Sequence, residues 1–249
     1  MFCIFRLKQS AIYPTISLTT MPNSIFENEK QLAAAEAVKF LVDGQIVGLG
    51  SGSTATYAIK EIAELVKNGL KIKAIPTSTQ TGELAQSLGI LLIDINSIEQ
   101  IDITIDGADE FTEDLTLVKG GGGALLREKV VASMTKKVII IADSAKKVER
   151  LGKFKIPIEI IPFATRHVMK MLRLLDGAGE IRMKDNSPYL TDSGNHILDA
   201  DFGLIENPTV LAEKLDTITG IVEHGIFVNL AQKVIMGSNG ETIVFERQV

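Results

Sequence analysis

The chain has 249 residues, 45% of them hydrophobic, and its 26 basic and 31 acidic residues give a net charge of −5. This length and composition predict one or two domains with a substantial core and exclude a disordered or fibrous protein. The weak negative charge, the lack of Trp and the single cysteine, Cys3, argue against a nucleic-acid or membrane-surface binder and exclude a disulfide framework or a cysteine-based zinc site.

The N-terminal residues differ from the rest of the chain. The first 26 residues include Arg6 and Lys8 but no acidic residue, and we treat residues 1–27 as an N-terminal extension. The extension could be a transit peptide. Alternatively, the natural protein starts at Met21, and residues 1–20 are either absent from it or form a disordered tail. No apolar run approaches the roughly 18 residues of a membrane span, so we expect a cytoplasmic protein with no membrane or nucleic-acid partner.

Short β-branched strands and helices alternate through the first part of the chain. The pattern predicts an initial helix at 29–41, followed by strands at 45–49, 72–75, 91–95, 101–105 and 137–142 and by helices at 53–66, 79–88 and 124–134. This alternation is typical of a Rossmann-like, doubly wound α/β domain whose mostly parallel sheet is covered on both faces. The loops that follow the strands then meet at one edge of the sheet.

The pattern changes after Lys153. Strands are predicted at 157–162, 180–184, 197–202 and 221–227, and helices at 165–175 and 209–215. The order β-α-β-β-α-β predicts a ferredoxin-like α+β domain at 154–228, inserted into the first domain. Residues 28–153 and 229–249, the latter with strands at 231–236 and 242–245, would form the Rossmann-like catalytic domain.

The first of two glycine clusters, Gly48–Ala55, lies between a strand and a helix and reads G-L-G-S-G-S-T-A. Glycine allows close backbone approach, and the free N–H groups at the helix start attract anions. Hydroxyls of Ser51, Ser53 and Thr54, beside Gly52, would complete a phosphate cradle. An ordinary turn with a Ser or Thr N-cap is the alternative. No acid follows the second strand to hold a ribose, so a phosphorylated metabolite fits better than a dinucleotide.

Three carboxylates crowd the end of the fourth strand, in the run Asp106-Gly107-Ala108-Asp109-Glu110. Crowded acids resist simultaneous ionisation, which can raise one pKa into a range useful for catalysis. A solvated acidic turn or a divalent metal site explains the same residues.

The second cluster places four glycines between a lysine and a helix, and the helix carries an acid in its first turns. Four consecutive glycines are conformationally costly and indicate close approach of the backbone to a ligand. The carboxylate on the helix could act as a proton-transfer base, or it could be an ordinary surface acid. These residues are Lys119, Gly120, Gly121, Gly122, Gly123 and Glu128.

Together these motifs resemble ribose-5-phosphate isomerase of type A. The runs G-L-G-S-G-S-T-A, D-G-A-D-E, K-G-G-G-G-A-L-L-R-E-K and the later A-D-S-A-K at 142–146 occur in the matching order and spacing, and the resemblance covers about residues 28–249. It implies interconversion of D-ribose 5-phosphate and D-ribulose 5-phosphate in the non-oxidative pentose phosphate pathway, without metal or cofactor. It also implies a homodimer or a homotetramer.

The resemblance assigns roles to single residues. Glu128 matches the proton acceptor and Lys146 a substrate-binding lysine; Ser51 and Gly123 replace a frequent Thr and Ala, changes expected to be conservative. The implied substrate-binding residues are Ser51, Gly52, Ser53, Thr54, Asp106, Gly107, Ala108, Asp109, Lys119, Gly120, Gly121, Gly122 and Lys146.

The chemistry of aldose–ketose isomerisation fits these residues. One base, Glu128, would move a proton between neighbouring carbons through an enediolate. Lys119 and the glycine N–H groups would stabilise the charge on oxygen, and Asp106 and Asp109 would open the sugar ring and shuttle hydroxyl protons.

Two other functions remain compatible with such an architecture: a regulator domain that senses sugar phosphates, and a coenzyme A transferase-like enzyme with a Glu nucleophile. The wide sequence spacing of His167, His196 and His224 disfavours a histidine metal site.

Overall fold

The computed structural model describes residues 22–247. The helices are α1 (Pro22–Ala37), α2 (Ser53–Lys67), α3 (Thr79–Ser87), α4 (Leu125–Ser133), α5 (Thr165–Arg173) and α6 (Pro208–Asp216). The strands are β1 (Ile46–Leu49), β2 (Lys73–Pro76), β3 (Ile101–Gly107), β4 (Glu110–Phe111), β5 (Leu117–Val118), β6 (Thr135–Asp143), β7 (Ile156–Ile160), β8 (Ala178–Ile181), β9 (Met183–Lys184), β10 (Ser187–Pro188), β11 (His196–Asp201), β12 (Ile221–His224), β13 (Ile226–Phe227), β14 (Lys233–Ser238) and β15 (Glu241–Glu246).

The larger sheet has six strands in the order β15-β14-β6-β3-β1-β2, all parallel to their neighbours except β15. The prediction of a mostly parallel, doubly wound sheet is therefore confirmed. The predicted strand at 91–95 is wrong. Only one residue of this segment, Leu92, forms a bridge, with Ala74 of β2. The Asn96 N–H then donates a hydrogen bond to the Asp94 carboxylate, and the chain turns into a short 3-10 helix, Ile95–Ser97.

The central strands are buried on both faces. In β6, Ile139 and Ile141 pack into one core cluster with α1 and α2, whereas Ile140 packs into another with Phe111 and Phe227. This alternation follows from the two-residue period of a strand. Because both faces are covered, the strand reads as a continuous apolar run in the sequence.

Helix α1 begins at Pro22, so residues 22–27 belong to a helix and not to the predicted extension. Within this first part of the helix, the Tyr57 hydroxyl of α2 donates a hydrogen bond to Glu27 Oε2 at 2.5 Å. The part of the predicted extension at residues 1–21 lies outside the described residues. Between residues 22 and 247, no helix combines the length and apolarity that crossing a membrane requires.

The smaller sheet has four strands in the order β12-β7-β11-β8, and every neighbouring pair is antiparallel. In chain order this is 4-1-3-2, the ferredoxin-like arrangement that the sequence predicts. Its core contains Val168 and Leu172 of α5 and Leu215 of α6, packed with Ile158 and Leu198 of the sheet. We propose that residues 154–228 form one domain and residues 28–153 with 229–249 the other.

Two predicted strands of this region are each split. The strand expected at 180–184 ends at Ile181, and the chain continues into the β9–β10 hairpin. The strand expected at 221–227 breaks at Gly225, so that Ile226–Phe227 pairs with β5 beside the larger sheet. At the break, the Gly225 N–H donates to Pro157 O and the Gly225 carbonyl accepts a hydrogen bond from Lys119 N at 2.9 Å. The smaller sheet is therefore joined to a three-stranded sheet, β13-β5-β4, directly beside the second glycine cluster.

Candidate active site

A pocket lies where β1 and β3 end, beside the start of α4. Its lining contains nearly all of the predicted site residues, and Asp106 lies buried beneath them. Right-handed crossovers put the loops after parallel strands at one edge, which explains how motifs far apart in sequence meet. The lining residues are Ser51, Gly52, Ser53, Thr54, Gly107, Ala108, Asp109, Lys119, Gly120, Gly121, Gly122, Glu128 and Lys146.

The loop between β1 and α2, which we call the first loop, packs against β3. A Cβ at Gly50 would overlap Asp106, including its Cα, so only glycine fits there. The N-cap of α2 is Gly52, and no side chain caps this helix. The N–H groups at the helix start are therefore available to an anion, which is not the ordinary Ser- or Thr-capped turn. The Ser51 hydroxyl is instead 2.7 Å from Thr77 Oγ1.

Asp106 is held by backbone and by a lysine. Its Oδ1 accepts hydrogen bonds from Ser51 N at 3.0 Å and Gly107 N at 2.7 Å, and its Oδ2 lies 2.9 Å from Lys119 Nζ. With 2% of its surface exposed, Asp106 sits under the pocket and not at its surface. Asp109 does line the pocket, and its Oδ2 accepts a hydrogen bond from Gly121 N at 2.7 Å.

Lys119 and Glu128 form a buried pair at the base of the pocket. Lys119 Nζ is 3.3 Å from Glu128 Oε2 and donates to Gly107 O at 2.6 Å. Burial alone would lower the pKa of Lys119, but the carboxylates of Asp106 and Glu128 raise it above its usual value. Lys119 therefore stays positively charged at physiological pH.

Glu128 lies in the first turn of α4 and is 4% exposed. Burial raises its pKa to about 8; Lys119 opposes this shift, and the nearby charges of Asp106 and Asp109 add to it. Among residues 22–247, Glu128 Oε2 accepts no hydrogen bond. A desolvated carboxylate with a pKa of about 8, beside a buried ammonium, suits proton transfer. The surface-acid interpretation of Glu128 is therefore wrong.

The loop Lys119–Gly123, which we call the glycine loop, is touched by two residues of the segment between β8 and β11 that sequence reasoning missed. Arg182 Nη1 donates to the carbonyls of Gly120 and Gly121, each at 3.0 Å. Tyr189 lies against Gly123, where φ is +85° and an added Cβ would come within 2.5 Å of the Tyr189 hydroxyl oxygen. The exchange of Ala for Gly123 is thus not conservative in this chain. No local motif marks either residue, because both contact the loop from more than 60 positions away.

Lys146 follows β6 in a short 3-10 helix, Ser144–Lys146. The turn is held by Asp143, whose carboxylate accepts from Ala145 N, and by Glu29 of α1, which accepts from both Ser144 N and Ser144 Oγ. Lys146 is half-buried and forms no ion pair within the described part of the chain. It can therefore offer a positive charge to a ligand in the pocket.

The three histidines do not meet. His224 lies near Asp216 and Glu223, with its Nε2 3.1 Å from Asp216 Oδ1. Lys129 occupies this cluster, since its Nζ is 2.6 Å from Glu223 Oε1 and 3.4 Å from His224 Nδ1. Burial, reinforced by Lys129, lowers the pKa of His224 to about 4.

Comparison with known proteins identifies the family. The family model for ribose 5-phosphate isomerase A (phosphoriboisomerase A) matches residues 73–241. Ribose-5-phosphate isomerase A of Bacillus mycoides is 49% identical over 212 residues, which cover 85% of this chain and 96% of that protein.

Solved structures of ribose-5-phosphate isomerases are also similar to this chain. A D-ribose-5-phosphate isomerase in complex with phospho-erythronic acid has a TM-score of 0.87 at 38% identity, over 89% of this chain and 99% of its own. Ribose 5-phosphate isomerase from Plasmodium falciparum has a TM-score of 0.86 at 35% identity, over 90% of this chain and 100% of its own. From the pocket and these relatives together, we conclude that the chain belongs to the ribose 5-phosphate isomerase A family of aldose–ketose isomerases.

Proposed function

We propose that this chain interconverts D-ribose 5-phosphate and D-ribulose 5-phosphate through an enediolate, with Glu128 as the general base. The observation that carries the proposal is the buried Glu128 carboxylate, with its raised pKa, 3.3 Å from the buried Lys119 ammonium. One group can accept a proton while the other stabilises the negative charge that then develops on oxygen.

In the proposed reaction, Glu128 takes the proton from C2 of the open-chain aldose and returns it to C1. The electron pair left on C2 forms the C1–C2 double bond of the enediolate as the C1 carbonyl oxygen gains negative charge. Lys119 stabilises that charge, and a proton then passes between the two oxygens to give the ketose. No atom is gained or lost, so the base is regenerated at the end of each turnover.

The two aspartates take different parts in this proposal. Asp109 lines the pocket, so it is the group suited to opening the sugar ring and shuttling hydroxyl protons. Asp106 lies under the pocket and binds Lys119 Nζ and the Ser51 and Gly107 N–H groups. Its proposed part is therefore to orient the ammonium.

The proposed phosphate site is the uncapped start of α2. The helix presents the N–H groups of Ser53 and Thr54 and the positive end of its dipole to the pocket, and Lys146 adds a charge. Binding energy gained at the phosphate positions the distant reacting carbons. A relative solved in complex with phospho-erythronic acid supports a phosphorylated sugar-like ligand for this pocket.

We further propose that the enzyme works in the cytoplasm, in the non-oxidative pentose phosphate pathway, as a homodimer or homotetramer. Self-association is supported by large apolar side chains exposed around the smaller sheet, among them Phe163 at 98% and Leu174 at 68%. Size-exclusion chromatography with light scattering tests this part, and a monomer would contradict it.

The direct test is to incubate the purified chain with ribose 5-phosphate in D₂O and follow ribulose 5-phosphate by NMR. Proton transfer through Glu128 predicts turnover with deuterium incorporated at C1. Binding of ribose 5-phosphate without turnover would favour a sensor, and transfer of coenzyme A from an acyl donor would favour a transferase. Turnover without any deuterium incorporation that persists in the Glu128→Gln variant would contradict the enediolate and indicate a hydride shift.

A further inference from the structure

The glycine loop is held from two sides through its peptide groups. The carbonyl of Gly120 accepts a hydrogen bond from Arg182 Nη1, and the N–H of the same peptide, on Gly121, donates to Asp109 Oδ2 at 2.7 Å. The C=O and N–H of a trans peptide point in opposite directions, so Arg182 and Asp109 hold this peptide from opposite ends. Asp109 lines the pocket, and Arg182 lies outside its lining.

The next peptide is oriented in the same way. Its carbonyl, on Gly121, also accepts from Arg182 Nη1 at 3.0 Å, so its N–H, on Gly122, is directed away from Arg182. Within residues 22–247 that N–H donates no hydrogen bond, and Gly122 is part of the pocket lining. Successive peptide N–H groups turned the same way form a concavity that binds negatively charged oxygen.

Arg182 is itself fixed. Its Nε donates to Asp199 Oδ2 at 2.9 Å, and its Nη2 pairs with the other carboxylate oxygen. Its backbone N–H donates to Ile197 O of β11, and its carbonyl accepts from Tyr189 N. A planar guanidinium bound at two edges holds its third nitrogen in one direction, which the flexible ammonium of a lysine does not do.

We propose that Arg182, oriented by Asp199, is a positioning residue for the isomerase reaction: it directs the Gly120 and Gly121 carbonyls away from the pocket and thereby presents the Gly122 N–H to the reacting oxygens. This inference rests on the function proposed above. It makes the segment between β8 and β11 part of the catalytic apparatus, although none of its side chains lies in the pocket lining.

The expected effect is on turnover more than on binding. Four consecutive glycines have large conformational freedom. Without Arg182 the loop would keep the bond from Gly121 N to Asp109 and the 2.9 Å bond from Gly123 N to Gly120 O, but the Gly121 carbonyl would lose its partner, and the Gly121–Gly122 peptide would sample more orientations. Displacing a donor by about 1 Å can cost up to roughly 100-fold in rate. The phosphate is held elsewhere, at the start of α2, so KM should change much less than kcat.

The test compares Arg182→Ala, Arg182→Lys and Asp199→Asn with the control Lys155→Ala. Lys155 neighbours the same groove and pairs with exposed Glu180 at 3.0 Å, but it does not touch the glycine loop. We expect kcat to fall about tenfold in both Arg182 variants and less in Asp199→Asn, with KM within about threefold and Lys155→Ala unchanged. Methylguanidinium should restore part of kcat to Arg182→Ala but none to Glu128→Gln.

A second measurement does not depend on activity. Amide hydrogen exchange of the peptide spanning 119–125 should be faster in Arg182→Ala than in the wild type and unchanged in Lys155→Ala. If the wild-type chain does not isomerise ribose 5-phosphate, the proposed function fails, and this exchange still decides whether Arg182 orders the loop.

Three results would overturn the inference: a folded Arg182→Ala variant with kcat within twofold of the wild type, unchanged exchange of the loop, or a fall in kcat that only matches the loss of folded protein measured by circular dichroism. Should Arg182→Ala not fold, Arg182→Lys and Asp199→Asn are judged by the same criteria.

Discussion

The two loops that line the pocket are held by different parts of the chain. The first loop is bound by neighbouring strands of its own sheet: Ser51 N donates to Asp106 at the end of β3, and Ser51 Oγ meets Thr77 just after β2. The glycine loop is bound by Asp109, which follows β3, and in addition by Arg182 and Tyr189, which follow β8 and β10. A loop at the end of a parallel strand is thus ordered by the sheet that carries it, whereas four glycines need groups from elsewhere in the chain.

The same two loops divide the proposed work. In this proposal the uncapped start of α2, just after the first loop, binds the phosphate. Lys119, at the beginning of the glycine loop, and Glu128, just beyond its end, perform the chemistry. Changes in the first loop should therefore act on KM or on stability, and changes around the glycine loop should act on kcat. Four predictions, ordered by the size of the expected effect, test this division.

The largest effect is expected for Glu128→Gln, which removes the proposed base with little change in shape. We expect kcat to fall about 1,000-fold, the range typical of losing a general base, while phospho-erythronic acid binds within about threefold of its wild-type affinity by calorimetry. The matched control is Glu83→Gln, because Glu83 is an exposed glutamate on α3. Turnover of Glu128→Gln close to the wild type would refute the base assignment.

A steric comparison between the loops comes next. Gly50→Ala places a Cβ onto Asp106, backbone included, and should destabilise the protein by about 2 kcal/mol, as overpacking of a closed site does. Gly122→Ala meets no atom within 4 Å and should change the free energy of unfolding by less than about 0.5 kcal/mol. Urea unfolding measures both. Equal destabilisation by the two substitutions would contradict the tighter packing of the first loop.

Lys146→Ala removes a half-buried positive charge from the pocket. We expect KM for ribose 5-phosphate to rise about tenfold with a smaller change in kcat, because a charge-assisted contact to phosphate contributes roughly 1.5 kcal/mol. Lys147→Ala is the control, since Lys147 pairs with exposed Glu113 and is not part of the pocket lining. A drop in kcat without a rise in KM would indicate that Lys146 acts in the chemical step and not in substrate binding.

The smallest expected effect is the change in rate between pH 7 and pH 8. A base must be deprotonated, and burial raises the Glu128 pKa to about 8, so kcat/KM should increase with pH and level off above it. Between pH 7 and pH 8 the ionised fraction of such a group rises about fivefold. Initial rates at low substrate concentration across pH 6–9 measure this. A flat profile would show that Glu128 is already ionised at pH 6.

Much of the fold followed from local pattern. Alternating apolar strands and helices predict the parallel sheet because strands buried on both faces read as continuous apolar runs. The two failures have different causes, one local and one tertiary. The segment at 91–95 is apolar enough for a strand, but Asp94 turns it away after one paired residue. The strand at 221–227 is split at Gly225 because its last residues pair with β5.

The amino-acid sequence specifies which residues can form the site. Their types and spacing mark a phosphate-binding turn, an acid cluster and a glycine-flanked base, and parallel topology requires the loops that carry them to share one edge. Only the tertiary structure fixes the burial and ionisation of these residues. Burial makes Glu128 a base with a raised pKa, Asp106 lies buried beside Lys119 under the pocket, and Arg182 reaches the glycine loop from the segment after β8. Desolvation and long-range hydrogen bonding depend on neighbours distant in the chain, so no local pattern of residues encodes them.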